Sequence, residues 1–159
     1  MGRPLAPLHV GDFGGRSVRY FASPVYQASR QPDMPWHSVD DLWPLLVPED
    51  TQAVFDLLKR KLRSDWQEPR TVATADGLAT IAPHFMGEGI FAAFASLPAS
   101  AQPDGLRLLR GRYRNGCTQA LKAMIAHLDP MQRMLFSLSA FGKAEDETVG
   151  PVAPQPVAT

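Results

Sequence analysis

The sequence predicts an α+β protein: a small antiparallel sheet made of hairpins, packed with helices and followed by a helical C-terminal region. Three observations carry this. Pairs of short, strand-like segments flank turn signals at Gly14-Gly15 and Asp76-Gly77. Residues 104–142 hold apolar side chains at helical spacing. Gly and Pro together make 27 of the 159 residues, which favours short elements joined by many connections.

Taken in order, residues 1–9 carry Pro4 and Pro7 and read as a loose arm. His9 to Phe13 and Ser17 to Phe21 read as strands, and in the second Val18, Tyr20 and Ala22 alternate with Arg19 and Phe21, a half-buried strand with a basic outer side. Ser23 to Pro35, polar and broken by Pro24, Pro32 and Pro35, reads as a loop. At Ser38 a hydroxyl can accept from the free N–H groups of a helix start, with Asp41 in its first turn. Leu42, Trp43, Leu45 and Leu46 are that helix's apolar side, and Pro44 limits it to about two turns. A further helix starts at Pro48, with Glu49 and Asp50 at its positive end, Val54, Phe55, Leu58 and Leu62 on its apolar side and Lys59, Arg60, Lys61 and Arg63 in its last turns.

Residues 70–82 form the clearest hairpin, and Ile90 to Leu97 reads as a buried helix on the sheet, its start blurred by Gly87 and Gly89. Trp36, Leu42, Leu46, Phe55, Leu58 and Ile81 are expected to meet in one N-terminal core. These parts make an α+β domain over 1–97, and Pro98 to Pro103 a linker. The helical region 104–142 has Asp104 as its N-cap, Leu106, Leu109 and Tyr113 as a first stripe and a break at Asn115-Gly116. Leu121, Met124, Ile125 and Leu128 continue the stripe, and Asp129-Pro130 restarts the chain. Met134, Leu135, Leu138 and Phe141 form the last face, stopped by Gly142. Residues 143–159 offer nothing to bury and read as a disordered tail. The apolar residues of 104–142 exceed what an isolated segment of that size shelters, so the region is expected to pack back on the 70–97 hairpin and helix or to form an isologous homodimer; the dimer is the favoured of the two, because the linker loosens the case for packing within the chain.

Sixteen basic and sixteen acidic residues cancel, which removes a strongly positive overall field as an argument for nucleic acid. Neutrality hides a polarised map: net +3 over residues 1–30, −5 over 31–50, +2 over 51–70 and +4 over 104–133. Cys117 is the single cysteine, so no internal disulfide exists and a reducing compartment is expected. No stretch approaches a membrane span, and Ala6 stands where a myristoylation motif wants Ser or Thr, so the expectation is a cytoplasmic protein with no membrane contact.

Val18-Arg19 precedes Pro35-Trp36, Asp41 lies five residues after Trp36 and is followed by Leu42, and Gly89-Ile90-Phe91 follows the 70–82 hairpin. In this order of parts the N-terminal 100 residues resemble the Bro-N domain, the amino-terminal module of phage antirepressors and baculovirus repeated-ORF proteins. There are departures. His37 replaces the aromatic after Trp36, the Gly that closes the first helix is missing, and the family's terminal Trp-Val and Leu-Pro-x-Ile-Arg signature is not found after residue 97. The resemblance implies a regulator from a prophage or other mobile element, without enzymatic activity, with duplex DNA or a repressor-type protein as partner.

Candidate DNA-binding residues are Lys59, Arg60, Lys61 and Arg63 in one helix, and Arg107, Arg110 and Arg114 at i, i+3 and i+7 in another, a single stripe able to track phosphates. A solvated helix flank beside an apolar seam has the same pattern. Asp33, Asp40, Asp41, Glu49 and Asp50 could mimic a phosphate track, although helix N-terminal roles explain three of them. For catalysis, Cys117 lies about 15 Å along a continuous helix from His127, too far for a nucleophile and its base. His9, His37, His84 and His127 share no i, i+3 or i, i+4 spacing, and no phosphate-binding Gly loop is present, so neither metal nor cofactor is expected. A protein-binding accessory domain without nucleic acid contact is the alternative function, and an enzyme of unknown class the third.

Overall fold

The structure, a computed structural model, describes residues 2–46 and 68–149. Five strands form one antiparallel sheet: β1 (His9–Asp12), β2 (Ser17–Phe21), β3 (Trp36–Ser38), β4 (Arg70–Thr74) and β5 (Gly77–Ala82), in the order β1-β2-β3-β5-β4. The helices are α1 (Pro24–Ser29), α2 (Val39–Leu46), α3 (His84–Ala95), α4 (Leu106–Met124) and α5 (Pro130–Val149). The α+β class expected from the sequence is the class found.

Both hairpins form where the turn residues placed them. Gly14 and Gly15 adopt φ of 75° and 88° between β1 and β2, and Gly77 adopts 119° after the β4–β5 turn, conformations that cost a side chain energy. Ser38 caps α2 as expected, its Oγ accepting from Asp41 N at 3.3 Å. Asp129 and Gln132 cap α5 reciprocally, Gln132 N donating to Asp129 Oδ1 at 2.9 Å and Asp129 N to Gln132 Oε1 at 3.2 Å.

Several expectations are corrected. The arm is pinned, with Leu5 N donating to Ala73 O and Leu8 N to Tyr20 O. Within the supposed 23–35 loop, Ser23 caps α1 through Tyr26 N and Pro24 opens it, a position where proline costs no hydrogen bond. Gly105 rather than Asp104 precedes α4. No break occurs at Asn115-Gly116, since α4 runs unbroken through both. Nor does Gly142 stop α5, which continues to Val149; Ala144 is buried and Lys143 pairs with Asp33 at 3.4 Å, so the first two residues of the supposed tail are docked.

The sheet has two covered faces. Val18, Tyr20 and Ala82 join Leu42, Leu46, Ile90, Tyr113, Leu121, Met124 and Phe136 in the main core. Regions 1–97 and 104–142 therefore share one core rather than standing apart. Trp36 and Ile81 lie with Phe21 in a second cluster and so do not meet Leu42 and Leu46, because strand alternation sends them to the other face. Phe55, Leu58 and the helix expected over 48–63 lie outside the described residues.

Candidate nucleic-acid interface and the buried cluster behind it

A polar cluster sits where α4 crosses the sheet, assembled from five elements that no local sequence spacing connects. Trp43 Nε1 on α2 donates to His37 Nε2 on β3 at 3.1 Å, and the other ring nitrogen of His37 lies 3.3 Å from the Tyr113 hydroxyl on α4. The Tyr113 hydroxyl donates to the backbone carbonyl of His84 at 3.1 Å, while His84 Nδ1 lies 3.3 Å from Cys117 Sγ. Tyr20 adds a bond from its hydroxyl to Tyr113 O at 3.1 Å. Two glycines make the crossing possible. A Cβ on Gly87 would strike the Tyr113 hydroxyl, and one on Gly116 would strike the Tyr20 ring.

The hydrogen bonds set the protonation states. His37 Nε2 accepts from the indole, so Nδ1 carries the proton and donates to Tyr113. Burial pushes the His37 imidazole down to about 3 and also lowers His84. Burial raises the Tyr113 phenol and the Cys117 thiol. At neutral pH every group in the cluster is uncharged. His84, and not His127, is the histidine beside Cys117, an approach that sequence spacing could not reveal. With the cysteine 1% exposed and its thiol held protonated, the pair lacks the thiolate and the access that nucleophilic chemistry needs. What the cluster does is fix α4 in depth and rotation against β3 and α3.

That rotation decides which cations face outward. Arg110 and Arg114, two members of the expected stripe, turn toward α3 and grip Glu88: Arg110 Nη2 donates to Oε2 at 3.0 Å, Arg114 Nε to Oε1 and Arg114 Nη2 to Oε2, each at 2.9 Å. Burial alone would raise the Glu88 carboxyl, but the bonds from Arg114 and Arg110 outweigh it and hold the group below the usual carboxylate range. These two arginines are helix–helix fasteners in the isolated chain.

Arg107 remains exposed, and the helix supplies two cations outside the expected stripe, Arg112 and Lys122. Among the described residues none of the three pairs with a carboxylate; Arg112 Nη1 reaches Asp12 O at 3.3 Å. The overlooked signal is that the nineteen residues of α4 contain five cations and no acid. Arg107, Gly111, Asn115, Thr118 and Lys122 follow one another at helical spacing, a track of roughly 22 Å. Beside its first half lies an open groove of about 610 Å³ lined by Gly105, Arg107, Leu108, Gly111, Arg112 and Asn115. Lys59, Arg60, Lys61 and Arg63 lie outside the described residues.

The acidic residues do not form a phosphate-like track. Asp41 receives Arg19 through Nε at 2.7 Å and Nη2 at 3.0 Å, Asp40 accepts from Thr80 N at 2.7 Å, and Asp33 is buried on Lys143. Glu49 and Asp50 lie outside the described residues. Among the described residues no three His, Cys, Asp or Glu side chains gather closely enough to hold a metal ion. No described helix is long and apolar enough to cross a membrane. Comparison with family models, with characterised proteins and with solved structures returns no significant match.

Proposed function

We propose that the chain is a non-enzymatic regulatory module, of the kind carried by prophages and other mobile elements, that contacts duplex DNA through the outer face of α4. The observation that carries this reading is the acid-free helix whose Arg107, Arg112 and Lys122 remain unspent on carboxylates among the described residues, beside an open groove that two of these arginines line together with Gly105, Leu108, Gly111 and Asn115. Lysine and arginine in such a row neutralise backbone phosphates and release counterions, giving affinity without base reading. The resemblance of the N-terminal 100 residues to the Bro-N domain supports the same role. A repressor-type protein is the other partner consistent with it. The second reading, an accessory domain that binds only protein, is favoured by the uncovered apolar side of α5.

Anisotropy of a labelled duplex across a salt series tests the first reading. Each phosphate contact contributes about 0.9 to the slope of log affinity against log salt, so three cations give a slope of about −3. Lys122→Gln should reduce that slope by about 1. Absence of binding at low salt, or an unchanged slope in Lys122→Gln and Arg107→Gln alike, would remove this face as the interface.

A further inference from the structure

We propose that two copies of the chain pair through the outer face of α5, antiparallel, with the two-fold axis passing beside Phe136. This pairing is independent of the nucleic-acid reading, since it uses a different helix and requires no DNA. The inward side of α5 is already satisfied: Phe136, Ala140 and Ala144 are buried, and Phe136 meets the Tyr26 ring edge-on at 5.8 Å. Directly opposite, Met131, Met134, Leu135, Leu138 and Phe141 are 44–64% exposed. A helix apolar on both sides belongs between two layers, and among the described residues this chain supplies only one.

The spacing identifies the second layer as another copy. Met131, Met134, Leu138 and Phe141 are separated by three, four and three residues, which is heptad spacing and also reads the same in both directions. An isologous contact requires a self-complementary patch. In antiparallel register Met131 faces the partner's Phe141, Met134 faces the partner's Leu138, and Leu135 lies near its own equivalent across the axis. Gly142, on the same side with nothing near its Cβ position, leaves room for the partner's first turn at Pro130.

Charge selects the direction. Parallel pairing would align the like ends of the two helix dipoles, whereas antiparallel pairing sets the positive end of each α5 against the negative end of the other. The exposed parts of the five side chains amount to on the order of 500 Å² per copy, and two such patches reach about the 1,000 Å² that a specific interface needs.

Light scattering of the full chain without DNA, over a micromolar concentration series, should give a dimer mass, and Leu138→Glu a monomer mass with an unchanged circular dichroism spectrum. Single cysteines then read the register. Leu135→Cys should cross-link to itself on mild oxidation, because the two copies lie roughly 3 Å apart along the axis, while Met131→Cys should not, being offset by roughly 15 Å. Native Cys117 is buried with its thiol protonated and stays silent. A monomer mass for the unaltered chain overturns the proposal, and so does cross-linking at Met131 but not Leu135, the parallel pattern. Should Leu138→Glu fail to fold, the mass of the unaltered chain and the two cysteine variants still decide the matter.

Discussion

Helices α4 and α5 follow each other in the chain and use their surfaces in opposite ways. On α4 one side is buried from Leu106 through Tyr113 and Cys117 to Met124, and the other is polar and cationic. On α5 both sides are apolar, and the side with the larger residues is the exposed one. A period of 3.6 in a sequence says that a stripe exists; it does not say which neighbour covers it. For α4 the neighbour is the sheet, for α5 the inward side takes Phe136 and small alanines, and the larger stripe stays exposed.

The comparison is broken most severely by removing the side chain that seats α4. Tyr113→Ala empties the centre of the cluster and leaves His37 and His84 without a partner hydroxyl, so it should cost about 3–5 kcal/mol of unfolding free energy in a denaturant titration. Leu138→Ala on the outer face of α5 should change the stability of dilute monomer by less than about 0.5 kcal/mol. Equal losses from the two would show that α5 is covered within the chain. Next in size is Gly116→Ala, whose methyl would press on the buried Tyr20 ring; about 3 kcal/mol is expected, despite alanine's better helix propensity.

Gly116 also shows where sequence reading reaches its limit. Asn-Gly is a sound local signal for a helix end, and it failed because the glycine answers a contact with Tyr20, ninety-six residues earlier in the chain. Gly87 misled in the same way, blurring the start of α3 when it makes room for Tyr113. Signals that are satisfied locally were legible: the Ser38 cap, both hairpins, the Asp129-Pro130 restart and the apolar stripe of α4. The candidate interface was legible as charge but not as geometry. The i, i+3, i+7 pattern of Arg107, Arg110 and Arg114 was present, yet Glu88 on another helix claims two of the three. Likewise the closeness of His37, His84, Tyr113 and Cys117 depends on three elements meeting, which no window of sequence contains.

The cluster makes the seating of α4 sensitive to acid. In the folded chain His37 resists protonation until about pH 3, whereas in the unfolded chain it takes up a proton near its ordinary value of 6.5. Its contribution is therefore complete above pH 6.5 and is lost as pH falls, by about 1.4 kcal/mol per unit. At pH 5 the loss should be about 2 kcal/mol, and His84, lowered in the same direction, steepens it. Glu88 is held below its usual range, so its contribution is lost only in stronger acid, leaving the window between pH 4.5 and 6.5 to the histidines. Melting midpoints across this window should fall steadily, and a flat profile would mean that the His37 site admits water.

The smallest effect sharpens the contrast on the outer side of α4. Gly111 has nothing within 4 Å of its Cβ position and an ordinary helical backbone, so neither packing nor conformation within the chain explains a glycine there. Gly111→Ala should raise stability by about 0.5–1 kcal/mol, read as a higher urea midpoint at unchanged slope. The same methyl would stand in the groove between Arg107 and Asn115. If a DNA backbone lies against this face, close approach is what the glycine provides, and the stabilised variant should bind duplex DNA several-fold more weakly than the unaltered chain. A variant that gains stability and keeps its DNA affinity would move the phosphate track away from this groove, toward the Lys122 end of the helix.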